Sequence, residues 1–347
     1  MSVEKTLFGK IRDGKEVHMF MIKNNQGMNV KVMNYGAILL ELFVKNKYGV
    51  FKDVVLGYDR LEDYFDNYPM FGAIVGRNVN RIDNAEFEID GILYKLVKNR
   101  GRHNIHSDKI NGFHKVLWDF EIINDNAVKF NYVSPDGDQG FPGKLDISVT
   151  YILTNNNELI ISYRGISDKK TLINITNHNY FNLSGYKSTN VLDTEVTIYA
   201  QSYTPINEDI IPTGEINKVY GTPMDFTKPK KIREAIDKEF PQLKMAKGFD
   251  HNFVIENPNT GIRKIAEAFN ESEGIRMEVY SDLPGMQFYT GNTIKETIGK
   301  RGAIYSERAG FCMEPQYFPN SINIKSFESP IFNANQEYKT TTIYQFI

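Results

Sequence analysis

The chain has 347 residues, with 41 Lys and Arg against 43 Asp and Glu, a formal net charge of −2, and 41% hydrophobic and 24% charged residues. At about 150 residues per domain the length suits two ordinary domains or one large all-β body, and the composition excludes disordered and fibrous classes. The balanced charge offers no broad footprint for nucleic acid or an anionic membrane, and the single cysteine, Cys312, leaves no internal disulfide and no multi-cysteine zinc site.

The first segment, MSVEKTLFGKIRDGKEVHMF, carries Glu4, Lys5, Lys10, Arg12 and Asp13 where a secretion signal needs an apolar core. No later stretch reaches about 18 apolar residues. A cytoplasmic protein is expected. Further along, VHMFMIK (17–23), MNVKVMN (28–34) and ILLELFVKN (38–46) are short apolar or alternating runs divided by turn residues such as Asn24, Asn25 and Gly27. The helical pattern RLEDYF (60–65) interrupts them. FEIDGILYKL (87–96) carries Asp90-Gly91, a strong hairpin signal. LDISVTYIL (145–153) alternates cleanly before Asn155, Asn156 and Asn157, and a second helical pattern, KKIREAID (230–237), comes soon after Pro229. Strands dominate and helices are too few for a parallel βαβ architecture. With no repeat, low-complexity tract or Pro/Ser-rich linker, the chain reads as one domain over 1–347, an all-β body of stacked antiparallel sheets.

The common signatures GxGxxG, GxxxxGK[ST], GxSxG, HExxH and the EF-hand loop are absent. Four polar segments remain. In LINITNHNYFNLSG (172–185), Ile173 and Ile175 take one face of an extended chain, and Asn174, Thr176, His178 and Tyr180 take the other. His178 is either a hydrogen-bonded structural histidine or a proton-transfer group, imidazole being suited to proton transfer near neutral pH. In AGFCMEPQYFPNSIN (309–323), Phe311 and Met313 share one face, and Cys312, Glu314 and Gln316 the other. Glu314 is therefore expected to be partly desolvated, which raises its pKa toward a general base; a buried salt bridge is the alternative.

GRNVNRIDNAEF (76–87) offers Arg77 and Arg81, either of which taken alone reads as a surface cation. GRHNIHSD (101–108) follows, with His103 and His106 at H-x-x-H spacing. With no second ligand pair nearby, hydrogen bonding to a polar ligand is expected from these histidines rather than a metal. In KGFDHNF (247–253), Asp250 and Asn252 alternate with His251 and Phe253, so Asp250 is either a turn cap or an acceptor for a hydroxyl.

Taken together these segments resemble the aldose 1-epimerase (galactose mutarotase) family. NRI (80–82), NIH (104–106), SPDGDQGFPG (134–143), TNHNYFNLSG (176–185), IPTGEI (211–216), PMDF (223–226), GFDHNF (248–253), LPGMQFYTGN (283–292) and FCMEPQYFPNSIN (311–323) stand like that family's blocks, in its order. The resemblance covers most of the chain and implies a large antiparallel β-sandwich of the galactose-mutarotase type with a few short helices. It implies Glu314 as general base and His178 as general acid. It also implies Asn80, Arg81, His106, Asp250 and Gln287 as holders of the sugar hydroxyls, with Arg81 preferred to Arg77 because it directly follows Asn80. Two segments depart from the family: Ser107 and Asp108 stand where two glycines usually follow the histidine, and Thr194 stands where a histidine is frequent.

The implied reaction interconverts the α- and β-anomers of free hexoses such as galactose and glucose. It removes the C1 hydroxyl proton and protonates the ring oxygen, so an acid and a base must flank one centre, and neither a cofactor nor a metal is called for. The expected partner is a small aldose, with no nucleic acid and no membrane, in a monomer or homodimer. Three other readings stay open at this point: a hexose-6-phosphate 1-epimerase, which needs extra cations for the phosphate; a non-catalytic sugar binder on the same scaffold; and a polysaccharide-cleaving enzyme, which needs two comparable carboxylates.

Overall fold

In the computed structural model, which describes residues 1–256 and 260–347, antiparallel strands dominate. The period-two runs form strands because each buries one face. In Leu145–Leu153, Leu145, Ile147, Val149, Tyr151 and Leu153 point into the core while Asp146, Ser148, Thr150 and Ile152 point away. The predicted runs appear as Glu16–Lys23, Asn29–Met33 and Ile38–Lys45, and Asp90-Gly91 turns between Glu86–Ile89 and Ile92–Lys95 with both residues at positive φ.

The largest sheet has nine strands, and the last strand of the chain lies at its centre. The last strand, Glu337–Phe346, lies between Glu158–Ser167 and Ile275–Ser281. Two five-stranded sheets pack against it: an N-terminal meander from Ser2–Lys10 to Phe51–Asp53, and a second sheet whose last three strands are Asp250–Val254, Gly285–Tyr289 and Cys312–Gln316. A continuous apolar core joins the three sheets, containing Phe20 and Val30 of the meander, Val149 and Tyr163 of the large sheet, and Phe288 and Met313 of the second. Two tyrosines pin these layers through buried hydrogen bonds: the Tyr151 hydroxyl donates to the Ala37 carbonyl at 2.8 Å, and that of Tyr344 to the Met313 carbonyl at 2.8 Å. Among the described residues no helix is long and apolar enough to cross a membrane.

Of the two predicted helices, RLEDYF forms one at Leu61–Asp66. KKIREAID does not. Lys230–Lys231 pairs with Glu195 and Val196 at the edge of the large sheet, the Ile232 and Arg233 amides donate to the Thr194 and Leu192 carbonyls, and only a 3₁₀ turn at Ile232–Glu234 follows. Sheet pairing there outcompetes helix propensity. A short helix forms instead at Pro241–Ala246, where Pro241 suits a first helical position.

Arg77 is fully buried rather than a surface cation. Its guanidinium donates to the Ser134 hydroxyl and to the carbonyls of Ser134, Pro135, Pro142 and Gly143, at 2.6–3.0 Å, and so shapes the SPDGDQGFPG loop. Replacing Arg77 with Met would leave those acceptors buried and unpaired, and should cost about 3–5 kcal/mol of folding stability. Denaturant unfolding checks this; a loss below about 1 kcal/mol, the net worth of an ordinary hydrogen bond, would show that the loop does not depend on it.

Candidate active site

The site sits on the second sheet, where three strands are buried on both faces. Their register explains why. Asn252 pairs with Gln287 and Gln287 with Glu314, while Asp250 pairs with Tyr289 and Tyr289 with Cys312. The intervening residues His251, Phe288 and Met313 form another cross-strand row, and Phe288 and Met313 belong to the core. One face of the sheet is therefore apolar, and the other is a polar floor.

Two further segments complete the walls. Thr176–His178 runs beside the floor and is stitched to it, because the Thr176 hydroxyl donates to the Pro315 carbonyl at 2.8 Å and Asn174 exchanges two hydrogen bonds with the Tyr317 backbone. This brings the polar face of that segment, with His178, against Glu314. The short pairing of Arg81–Ile82 with Asn104–Ile105 then sets Asn80, Arg81 and His106 side by side.

All seven predicted residues line one open pocket of about 920 Å³, its mouth included. His178 Nε2 stands 3.6 Å from Glu314 Oε1. Asp250 takes a hydrogen bond from Gln287 Nε2 at 2.6 Å on one oxygen and from Arg81 Nη2 at 3.0 Å on the other. Asn80 Oδ1 accepts from the Arg81 amide and Nη1, fixing the guanidinium. The Asn80 amide donates to His106 Nδ1 at 3.2 Å, which leaves the His106 proton on Nε2 as a donor. The His178 ring stacks on Tyr180 with centroids 5.0 Å apart and meets His106 edge-on at 5.3 Å.

Burial separates the protonation states of these groups. It pushes Glu314 well above the usual carboxylate range, and Asp250 adds to the rise. It pushes His178 down to about 4 and His106 well below the usual histidine range, the latter helped by the charges of His178 and Arg81. Burial also acts to raise Asp250, but Arg81 and the Gln287 hydrogen bond outweigh it and hold this carboxylate low and ionised. Among the buried polar atoms without a partner within the protein, three belong to residues that line this pocket: Glu314 Oε2, Gln287 Oε1 and Arg81 Nε.

Residues 18–345 match the family described as aldose 1-epimerase. The chain belongs to the aldose 1-epimerase family. Over 348 residues it is 40% identical to a galactose mutarotase of Sus scrofa, covering 100% of this chain and 99% of the relative. It is 35% identical over 337 residues to an aldose 1-epimerase of Escherichia coli K12, covering 96% of each. The solved structure of a GalM/aldose epimerase homologue from C. elegans superposes with a TM-score of 0.87 at 27% identity, covering 94% of this chain and 98% of that one. The sandwich expected from the resemblance is the fold of this family.

Both departures from the family pattern are absorbed locally. His106 and Ser107 have φ of +56° and +61°, a conformation that favours glycine. The Ser107 hydroxyl accepts from the Asn78 amide at 2.8 Å and donates to the Asn78 carbonyl at 2.9 Å, which holds this strained turn against the Asn80 strand. Asp108 accepts from the Ile110 and Asn111 amides and closes the following loop. Thr194 is buried and does not line the pocket.

Other expectations need correction. His103 does not join His106 in the pocket; it is held between Asp83 at 2.9 Å and Asp209 at 3.2 Å. Asn252 shares the polar face as expected but lies away from the main pocket, with its amide towards Thr204. Sequence reasoning missed Tyr289, Tyr68, Arg100 and Lys109 in the lining. Only Tyr289 had a signal, since it stands two residues after Gln287 on the same strand face.

Proposed function

We propose that the chain is an aldose 1-epimerase acting on free hexoses such as galactose and glucose, with Glu314 as general base and His178 as general acid. The observation that carries this reading is the 3.6 Å gap between His178 Nε2 and Glu314 Oε1 on a floor of hydroxyl-binding groups. The hydroxyl oxygen O1 and the ring oxygen O5 are bonded to the same carbon, so a donor and an acceptor this close can address both.

In the forward direction the Glu314 carboxylate takes the O1 proton, the O1 electrons form the C1 carbonyl, the C1–O5 bond breaks, and O5 takes the proton held by His178. Rotation about C1–C2 turns the aldehyde over. Closure then reverses both transfers on the other face, so the pair ends with the same number of protons. Asp250 accepts from, and Arg81 and His106 donate to, the remaining hydroxyls; Glu314 Oε2, Gln287 Oε1 and Arg81 Nε supply further unpaired valences for a polyhydroxylated ligand. Tyr180 and Tyr289 offer ring faces at the wall. We place the protein in the cytoplasm as a monomer or homodimer.

The working state carries one proton shared by the pair. Burial disfavours a second one, since it holds His178 at about 4, and holds back loss of the first by raising Glu314. Falling pH should therefore abolish kcat/KM through protonation of both groups near pH 4, and rising pH should abolish it well above the carboxylate range. The expected buffer-corrected profile is a bell with its acid limb near pH 4; an acid limb near 6.5, the ordinary histidine value, would contradict the assignment.

Asp250→Asn removes the charge that holds Arg81 and weakens a charge-assisted contact to the sugar. It should lower kcat/KM by about 10–100-fold, the worth of one hydrogen bond to a charged group, with KM raised. Steady-state kinetics on galactose checks this, and an unchanged KM would remove Asp250 from the sugar contacts.

Polarimetry of freshly dissolved α-D-galactose and α-D-glucose tests the proposal. Relaxation faster than in buffer alone is expected for at least one of them. Arg100 and Lys109 at the pocket lining favour including glucose 6-phosphate as a second substrate class. Acceleration of none of the three would leave the non-catalytic sugar binder.

A further inference from the structure

Beside the Nδ1 edge of the His178 ring lies the one cysteine of the chain. Cys312 Sγ is 3.7 Å from His178 Nδ1, and Cys312 shares a strand face with Glu314 two residues on. One ligand atom from each of His178, Cys312 and Glu314 can be chosen so that all three lie within 4.8 Å of one another, and all three residues are buried. We propose that these three side chains form a site for a borderline or soft divalent cation, Zn²⁺ or Cd²⁺, and that its occupancy shuts the sugar pocket down.

The donor set selects the ion. Imidazole, thiolate and one carboxylate are a ligand combination for zinc and its heavier congener, whereas Ca²⁺ and Mg²⁺ require six or more oxygens. Bonds of about 2.0–2.3 Å to a tetrahedral ion put neighbouring donors about 3.3–3.8 Å apart. The sulfur–imidazole distance already meets that, and the remaining separation closes by roughly an ångström of side-chain rotation. Glu314 Oε2 is buried without a partner, so one carboxylate oxygen is free to turn onto an ion. A thiolate and a carboxylate also neutralise the ion's charge where burial would otherwise oppose it.

Access runs through the pocket, because His178 and Glu314 line it and Cys312 lies behind them. The fourth coordination position then faces the space where the sugar binds. A bound ion takes up the carboxylate and one imidazole nitrogen together, so cation and sugar exclude each other. The inhibitory consequence rests on the aldose 1-epimerase reading, while the binding itself does not.

The test is titration of the purified chain with CdCl₂, followed by the ultraviolet thiolate-to-cadmium charge-transfer band. With a single cysteine in the chain that band reports Cys312 alone. One equivalent should saturate it, His178→Asn should weaken it, and mutarotation should fall in step with it and recover with EDTA. Excess galactose should suppress it. Cys312→Ser, with its own metal-free turnover as the reference, should raise the Cd²⁺ concentration for half-inhibition at least tenfold, since even outer partners of metal ligands are worth about 10–100-fold in affinity.

Absence of the band at one equivalent overturns the site. So does a band of equal strength in His178→Asn, or inhibition that Cys312→Ser leaves unchanged. A band that galactose does not displace from a chain with mutarotase activity overturns the exclusion of sugar by metal. If the chain accelerates no mutarotation at all, the proposed function fails, and the band with its His178 dependence still decides the metal site.

Discussion

Glu314→Gln should lower kcat/KM for galactose mutarotation by about 10²–10⁴-fold, the range a positioned general base supplies, while leaving a folded protein. Glutamine has the shape of the protonated acid and keeps an acceptor beside His178, but it cannot take the O1 proton. Its effect on stability has a definite sign. Burial raises the Glu314 pKa in the folded chain, so at neutral pH the unfolded chain gains by ionising this group and the native state is disfavoured. Below the unfolded carboxylate value, about 4.3, both states hold the proton and the penalty is absent. The amide should therefore raise stability at neutral pH and change it less in acid. Thermal unfolding at both pH values, beside the kinetics, checks the pair of effects. A variant that is stable and retains near-full activity would remove Glu314 as the base.

His178→Asn should cost about as much, again about 10²–10⁴-fold in kcat/KM. Asparagine can hydrogen-bond O5 but cannot deliver a proton to it, so the open-chain alkoxide must be protonated from water. The acid limb near pH 4 should vanish with the imidazole, because it reports the second proton that His178 accepts. Stability should fall modestly through loss of the stacking on Tyr180. Kinetics across pH separates the roles: a variant that loses activity but keeps the acid limb would mean that another group carries the titration and that His178 only packs.

How far the sequence could go is set by the range of the interactions involved. Alternation is local, so the strands at 17–23, 28–34, 38–46 and 145–153 were legible, as was the face shared by Cys312, Glu314 and Gln316. The site residues came from family blocks, and the strand register gives the reason they meet: Gln287 lies beside Glu314, and Tyr289 beside Asp250. What the sequence hides is pairing at long range. Nothing in EYKTTTIYQF announces that it will sit between strands 158–167 and 275–281.

The same limit explains the misreadings. KKIREAID has helical spacing, but partners around Thr194 and Glu195 claim its backbone. Arg77 looks like a surface cation until the carbonyls at 134–143 close over it. His103 and His106 are three residues apart yet serve different surroundings, because the turn at His106 and Ser107 carries only His106 into the pocket. The proximity of Cys312 to His178 likewise joins two segments that share no local pattern.

The central claim, ring opening at C1 by proton transfer between oxygen and the Glu314–His178 pair, is tested most directly by NMR exchange spectroscopy of equilibrated galactose in D₂O. With the unmodified chain, exchange cross-peaks should connect the α and β anomeric protons, with C1–H and C2–H fully retained, and Glu314→Gln should abolish the enzyme-dependent part. Cross-peaks that persist unchanged in that variant, or loss of the C2 proton signal to deuterium, would contradict it, the latter by showing chemistry at C2 instead of ring opening at C1.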